Sequence, residues 1–259
     1  MKIDRTKLQR EIDLLWILTR KEIILQYKRT SLGIFWSLLN PLLLAFVFYI
    51  AFNIILGVHI PNFPLFILSA LFPWTWFSTS VSASTVSLIS NKSLIKKFPF
   101  PKHYLLIASV LSQGIHFVFS LPIIIILVYV YGKHVDIIWL TGIPILLIIQ
   151  FMITIGLSLA VSVINVYFMD FQFIVGFLLQ VLFWITPIVY KFDNIPEIYR
   201  TLFLYLNPLA SLMSSWRELF MSNKIYWNWI GIALLGSISI LFLGLAIFRR
   251  LSKRIDEVV

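Results

Sequence analysis

Cysteine is absent from this 259-residue chain, which excludes disulfides, thiolate metal sites and a cysteine nucleophile. Charge is scarce too: Asp, Glu, Lys and Arg make up 12% of the residues, against roughly 25% in a soluble domain. With 60% hydrophobic residues and a mean hydropathy of +0.94, most of the surface cannot be solvated by water. The four histidines, His59, His103, His116 and His134, are scattered, and none stands at ligand spacing from another or from a carboxylate, so no metal site is expected. The long apolar runs lack Asp and Glu, the groups an ion-coupled transporter uses, and His116 reads as a hydrogen-bonded bundle residue. Neither the carbonyl filter nor the charged ring of an ion channel is present. Gly231 and Gly236 have P-loop spacing, but Ser237 and Ile238 stand where Lys and Ser/Thr belong, so the pair reads as close helix packing. Residues 156–160 have the spacing of a nucleophile elbow but end in Ala160, with no strand before them. The chain itself is therefore expected to be no enzyme and to carry no cofactor.

What the chain has in abundance is apolar runs of about 20 residues, the length that crosses a bilayer as a helix. Residues 33–56 contain no Asp, Glu, Lys, Arg or His over 24 positions, roughly 36 Å of helix. Residues 65–90 form a second run with hydroxyls at Ser78, Thr79, Ser80, Ser82, Ser84, Thr85 and Ser87, a face suited to close packing or to water. Further runs occupy 104–131, 137–163, 171–189 and 227–248. The expectation is an all-α integral membrane protein, a single domain over 1–259 with six transmembrane helices. Residues 1–32, basic and apolar by turns, read as a cytoplasmic amphipathic interfacial helix with no secretory leader, and 249–259 as a cytoplasmic tail.

The piece at 190–226 is ambiguous by length. Its halves, 198–206 and 209–220, are each too short to span, are broken at Asn207-Pro208, and carry Arg200, Arg217 and Glu218. As one crossing they would add a seventh span and send Arg249, Arg250, Lys253 and Arg254 outside, against the positive-inside rule. An external re-entrant helical hairpin is expected instead. With both termini cytoplasmic, sixteen of the 21 Lys and Arg fall inside: eight before residue 33, four in an elbow at 91–103 and four in the tail. Lys133, Lys191, Arg200, Arg217 and Lys224 fall outside. This placement accounts for the net charge of +10 without nucleic acid.

A chain that moves something without an energy transducer implies a partner that has one. Tyr27-Lys28-Arg29-Thr30-Ser31-Leu32-Gly33-Ile34-Phe35-Trp36, followed by Asn40-Pro41, resembles the opening of the first span in permease subunits of type-two ABC exporters for O-antigen and other cell-surface polysaccharides. The lysine-rich Phe-Pro elbow at 94–102, the link ending in Asp170, Thr186-Pro187-Ile188-Val189-Tyr190 and Leu206-Asn207-Pro208-Leu209 extend the resemblance over nearly the whole chain. Met169 departs from the arginine the family commonly carries there. The resemblance implies a homodimer in the bacterial inner membrane, with two copies of a separate P-loop ATPase subunit that bind ATP and Mg. Its cargo would be an undecaprenyl-diphosphate-linked polysaccharide, exported through a channel at the dimer interface. Teichoic acid and capsule exporters share these features, and a glycan-lipid membrane enzyme or scaffold is the reading from another class, which would need paired carboxylates at an interface.

Three sets of site residues follow. Leu94, Ile95, Phe98 and Phe100 place apolar knobs among lysines, suited to a cytoplasmic partner's groove, and the resemblance adds Tyr167 and Asp170 as a second ATPase contact. Lys28, Arg29 and Lys97 are the cations that would meet a lipid diphosphate at the cytoplasmic leaflet. Tyr49, Phe52, Trp74, Trp76, Trp184 and Tyr190 are candidates to line a sugar path, because rings offer an apolar face without a fixed hydrogen-bond pattern.

Overall fold

A computed structural model of the chain describes residues 5–28, 30–98 and 100–255. The described residues are helical, with no strand among them: α1 Arg5–Tyr27, α2 Phe35–Tyr49 continued by a π-helical turn Ile50–Ile55, α3 Phe63–Ser90, α4 Lys92–Lys97, α5 His103–Val130, α6 Ile138–Tyr167, α7 Phe171–Ile185, α8 Glu197–Leu206, α9 Pro208–Ser222 and α10 Trp227–Leu251. Phe35–Ile55, α3, α5, α6 and α10 are long and apolar enough to cross a membrane. Their bounds follow the apolar runs because in hydrocarbon a backbone must satisfy its own hydrogen bonds, and the helix runs as far as the apolar residues do.

The expected span at 171–189 differs. Helix α7 stops at Ile185 after 15 residues, about 22 Å, and the chain continues irregularly through Thr186–Tyr190. Pro187 is the reason: it disfavours the α conformation in the residue before it, and Thr186 is extended at φ −81°, ψ 135°. Pro41, Pro73, Pro122 and Pro144 interrupt no helix, since each lies inside a long apolar segment.

Helix α3 is the centre of the bundle, buried along most of its length. It packs on α5 and α6, α10 packs along α6, and α9 wedges between α3, α6 and α10. Gln150 of α6, fully buried, donates to the Pro73 carbonyl (3.3 Å) and accepts from Trp216 Nε1 (3.3 Å), tying α3, α6 and α9 together with a satisfied amide. The tightest crossing is α6 on α10: a Cβ on Gly156 would come within 2.7 Å of the Leu241 backbone, and one on Gly244 would overlap the Gly156 carbonyl. Helices α2 and α7 contrast with this body, burying only Pro41 and Ala45, and Val175 and Leu179.

The bundle has two chemically distinct ends. At one, α4, the start of α5, the end of α6, the end of α10 and part of α1 share a second apolar cluster that includes Leu18, Leu105, Val166, Phe248 and Ile255. Lys21 of α1 bonds Asn91 there, and Tyr167 donates to the Leu251 carbonyl (2.7 Å). At the other end the 57–62, 131–137, 186–196 and 223–226 connections converge. Asn223, in the left-handed region at φ 52°, donates to the His134 carbonyl (2.9 Å) and accepts from Trp139 Nε1 (2.7 Å). The elbow, the 167–170 link and the C-terminal cations thus share one end, as alternating crossings require.

Candidate functional site: a hydroxyl and aromatic groove

The flank left open by α2 and α7 is a groove of about 510 Å³ whose floor is α3. Helical spacing sets its chemistry: Leu71, Trp74, Thr75, Ser78, Thr79 and Ser82 recur at i, i+3, i+4, i+7, i+8 and i+11, so one stripe of α3 carries two apolar residues followed by four hydroxyls. Thr75 Oγ1 donates to the Leu71 carbonyl (2.8 Å) and Thr79 Oγ1 to that of Thr75 (2.5 Å). These bonds use the hydroxyl hydrogen inside the helix and leave the oxygen lone pairs to accept from whatever occupies the groove. Gly176 and Gln180 of α7 face the stripe, and a Cβ on Gly176 would meet nothing within 4 Å.

Aromatic rings form the upper part. Phe48 stacks on Phe183 (centroids 5.9 Å) and stands edge-on to Trp184 (6.4 Å), while Trp74 packs on Phe183 (5.7 Å). Of the six rings expected from the sequence, the structure brings Trp74 and Trp184 into this groove. Tyr49 and Phe52 sit further along α2, both against Phe63 (6.0 and 6.4 Å). Tyr190 donates to the Ile185 (2.8 Å) and Trp184 (3.2 Å) carbonyls, capping α7. Trp76 lies on the other side of α3, stacked on Phe117 (5.5 Å) with its Nε1 on the Val110 carbonyl (3.0 Å). Phe48 and Phe183 were missed, although Phe183 shares one stripe of α7 with Gly176 and Gln180.

A second cavity, about 120 Å³, adjoins the groove through Thr75 and Thr79 and is lined by Tyr27, Ser37, Asn40 and His116. Gln113 Nε2 donates to Gln26 (3.0 Å), its Oε1 faces His116 Nδ1 (3.2 Å), and Tyr27 Oη lies 3.5 Å from the same His116 nitrogen, which places Gln26 and Tyr27 at the end of α1 against α5. Lys28 and Lys97 are exposed, and Arg29 lies outside the described residues.

In the elbow, Leu94, Ile95 and Phe100 are half-buried and pack on the second apolar cluster, whereas Phe98 stands out at 59% exposure. Pro99 lies outside the described residues. At the second expected contact Tyr167 holds the end of α10, and Asn165 Oδ1 accepts from the Gln172 N–H (3.0 Å) at the start of α7. Asp170, at the N-cap position, makes no side-chain cap and is exposed.

Sequence reasoning missed Arg217. Its guanidinium is 5% exposed and donates to the carbonyls of Phe66 (3.2 Å), Pro187 (2.8 Å), Tyr190 (3.2 Å) and Ile188 (2.5 Å), lying 3.9 Å over the Phe66 ring. Three of those carbonyls belong to the stretch that Pro187 unwinds, and they would otherwise be buried acceptors without donors. Burial pulls the guanidinium down to about 9, with Glu218 and Tyr190 opposing the shift, so it stays charged at neutral pH. Asn207 Nδ2 donates to Thr186 Oγ1 (3.1 Å), so the Thr-Pro-Ile-Val-Tyr and Leu-Asn-Pro-Leu motifs meet. The signal in the sequence was a lone cation inside an apolar half-helix.

The ABC-2 type transporter family matches residues 13–221. The chain is 39% identical over 247 residues, 95% of both proteins, to an O-antigen export system permease protein RfbA of Klebsiella pneumoniae. It is 36% identical over 217 residues, 82% of both, to the protein of that name in Myxococcus xanthus. It is 25% identical over 235 residues, 88% of this chain and 90% of the other, to the polysialic acid transport protein KpsM of Escherichia coli. With a matched region that holds the groove, the elbow and the Arg217 contacts, this chain belongs to the ABC-2 type transporter family.

Proposed function

We propose that the chain is the membrane-spanning subunit of an ATP-driven exporter that moves an undecaprenyl-diphosphate-linked polysaccharide of the O-antigen type across the bacterial inner membrane. The observation that carries this reading is the groove. A stripe of hydroxyls and a wall of rings at bilayer depth are poorly matched to hydrocarbon and well matched to a sugar chain, whose hydroxyls need partners and whose C–H faces lie on rings. A groove open on one side closes when a second copy faces it, so the working unit is a homodimer with the path between two α2–α3–α7 flanks. The relatives named as O-antigen permeases support the cargo. The similarity to a polysialic acid transport protein keeps capsule export as the second reading, with teichoic acid export in the same class.

In this reading six helices span, α7 completing its crossing through Thr186–Tyr190, while α1 is the interfacial helix, α8 and α9 form an external re-entrant hairpin, and both termini are cytoplasmic. Two copies of a P-loop ATPase bring ATP and Mg and grip Phe98 and the Tyr167–Asp170 link, whose exposed ring and carboxylate lie at the same end. Leu94, Ile95 and Phe100 anchor that grip from below. Lys28, Arg29 and Lys97 meet the lipid diphosphate, and Tyr49, Phe52 and Tyr190 continue the ring-lined path past Trp74 and Trp184.

The test is co-purification with the cognate ATPase, followed by mass spectrometry of bound lipid-linked sugar and an export assay. A complex that binds and exports no glycan overturns the reading. Because the chain lacks cysteine, a single Asn194→Cys variant reports sidedness without background: an impermeant thiol reagent should label it in intact cells, and labelling only after lysis overturns the topology.

A further inference from the structure

A cavity of about 280 Å³ opens at the end of the bundle away from the elbow, among the 57–62, 131–137 and 186–196 connections. That is near the lower limit of small-molecule pockets, roughly 300 Å³. Lys133, Lys191, Asp193, Ser214, Glu218 and Trp229 line it. Ser214 is 3% exposed, and its Oγ is buried without a hydrogen-bond partner among the described residues. Glu218 and the exposed Asp193 and Lys191 form no ion pair among the described residues, and Lys133 uses one of its three N–H on the Met221 carbonyl. Trp229, braced by Tyr226 (4.7 Å) and Phe192 (5.5 Å), supplies an aromatic surface.

The donors and acceptors left free select the ligand. Arg217 also lines the cavity, but its N–H groups are turned onto backbone carbonyls, so the charged side chains left to bond a ligand are two ammonium groups and two carboxylates. A phosphate or a sulfate would meet two carboxylates that offer it no donor. A neutral polyol finds acceptors in Asp193 and Glu218, donors in Lys133 and Lys191, a hydroxyl in Ser214 that both gives and takes, and a ring for its C–H face.

We propose that this cavity binds one neutral sugar residue of the exported chain on the external face of the membrane. The inference rests on the exporter reading for its ligand and on the proposed topology for its sidedness. The cavity is set apart from the groove by Thr186–Tyr190, the segment that Arg217 holds, so a chain leaving past Trp184 has it within reach. It acts as a holding point that disfavours backsliding between ATPase cycles.

The probe is the host polysaccharide freed from its lipid by mild acid, titrated calorimetrically into the permease–ATPase complex in lipid nanodiscs. Wild type should bind saturably, and Lys191→Gln combined with Asp193→Asn should bind about tenfold more weakly, the loss expected for charged hydrogen-bond partners. These two side chains are exposed and support no packing, so folding is not at issue; Lys224→Gln should bind as wild type does. Unchanged affinity in the double variant, absence of wild-type binding, or competition by inorganic phosphate at millimolar concentration each overturns the assignment. The export assay is read separately: normal export with unchanged affinity in the variant removes this site and leaves the exporter, whereas a wild type that exports nothing removes the exporter reading itself.

Discussion

The α6–α10 seam and the α2–α7 flank are built from the same apolar residue types yet pack in opposite ways. The seam brings backbone onto backbone through Gly156 and Gly244, leaving no volume to spare. Gly176 faces open space, and the flank around it gives most of its side chains to the surface. The lesson is that glycine in a membrane helix has two uses told apart only by its surroundings: at the seam it lets helices touch, and in the groove it keeps them from filling a space. A transporter needs both, a body that does not yield and a face that stays open.

The largest expected effect breaks the seam. Gly244→Leu drives a side chain into the Gly156 carbonyl, where neither backbone can move aside, and should cost about 3 kcal/mol or more, seen as loss of folded protein from the membrane and a collapsed thermal transition in detergent. Next is the clasp between the two regions. Arg217→Leu removes the donors of four carbonyls and should cost about 3 kcal/mol, with the buried Ile188, as an introduced cysteine, becoming open to thiol reagents. A wild-type melting temperature in either variant would show the comparison to be drawn wrongly.

Gly176→Phe sharpens the contrast from the other side. The fold should tolerate it, because nothing stands within 4 Å of the new Cβ, and thermal stability should stay within about 0.5 kcal/mol of wild type. Export through the proposed path should fall at least tenfold while ATPase co-purification persists. At the elbow the effects fall on the partner more than on the body. Phe98→Ala exposes no core and should leave stability unchanged while weakening ATPase co-purification about thirtyfold; Phe100→Ala should mainly lower stability, because that ring packs into the apolar cluster. Lys92→Gln should be nearly silent in both assays.

Legibility in the sequence followed the same division. Helix bounds could be read because run length decides them, and the break at Asn207-Pro208 was visible because proline ends helices from within the sequence. The phase of each helix was hidden. A helix that is apolar all round gives no periodicity to say which side faces a neighbour, which is why Trp76 was grouped with Trp74 although the two point to opposite sides of α3. Phe48 and Phe183 were missed for that reason, and the half-burial of Leu94, Ile95 and Phe100 was equally out of reach. The early end of α7 was legible in Pro187, whereas the role of Arg217 stayed hidden because its partners lie 27 to 151 residues away, and the composition of a segment does not report what lies across from it.

The Gly156–Gly244 crossing also sets a clock on biogenesis. The two glycines are 88 residues apart in the chain, so at synthesis rates of roughly 5–20 residues per second Gly156 is made roughly 4–18 s before Gly244. Throughout that interval the notch at Gly156 faces lipid or the insertion machinery, with no partner to fill it. A chain stopped before α10 would therefore carry a permanent mark of incompleteness in mid-membrane, where membrane quality control can find it.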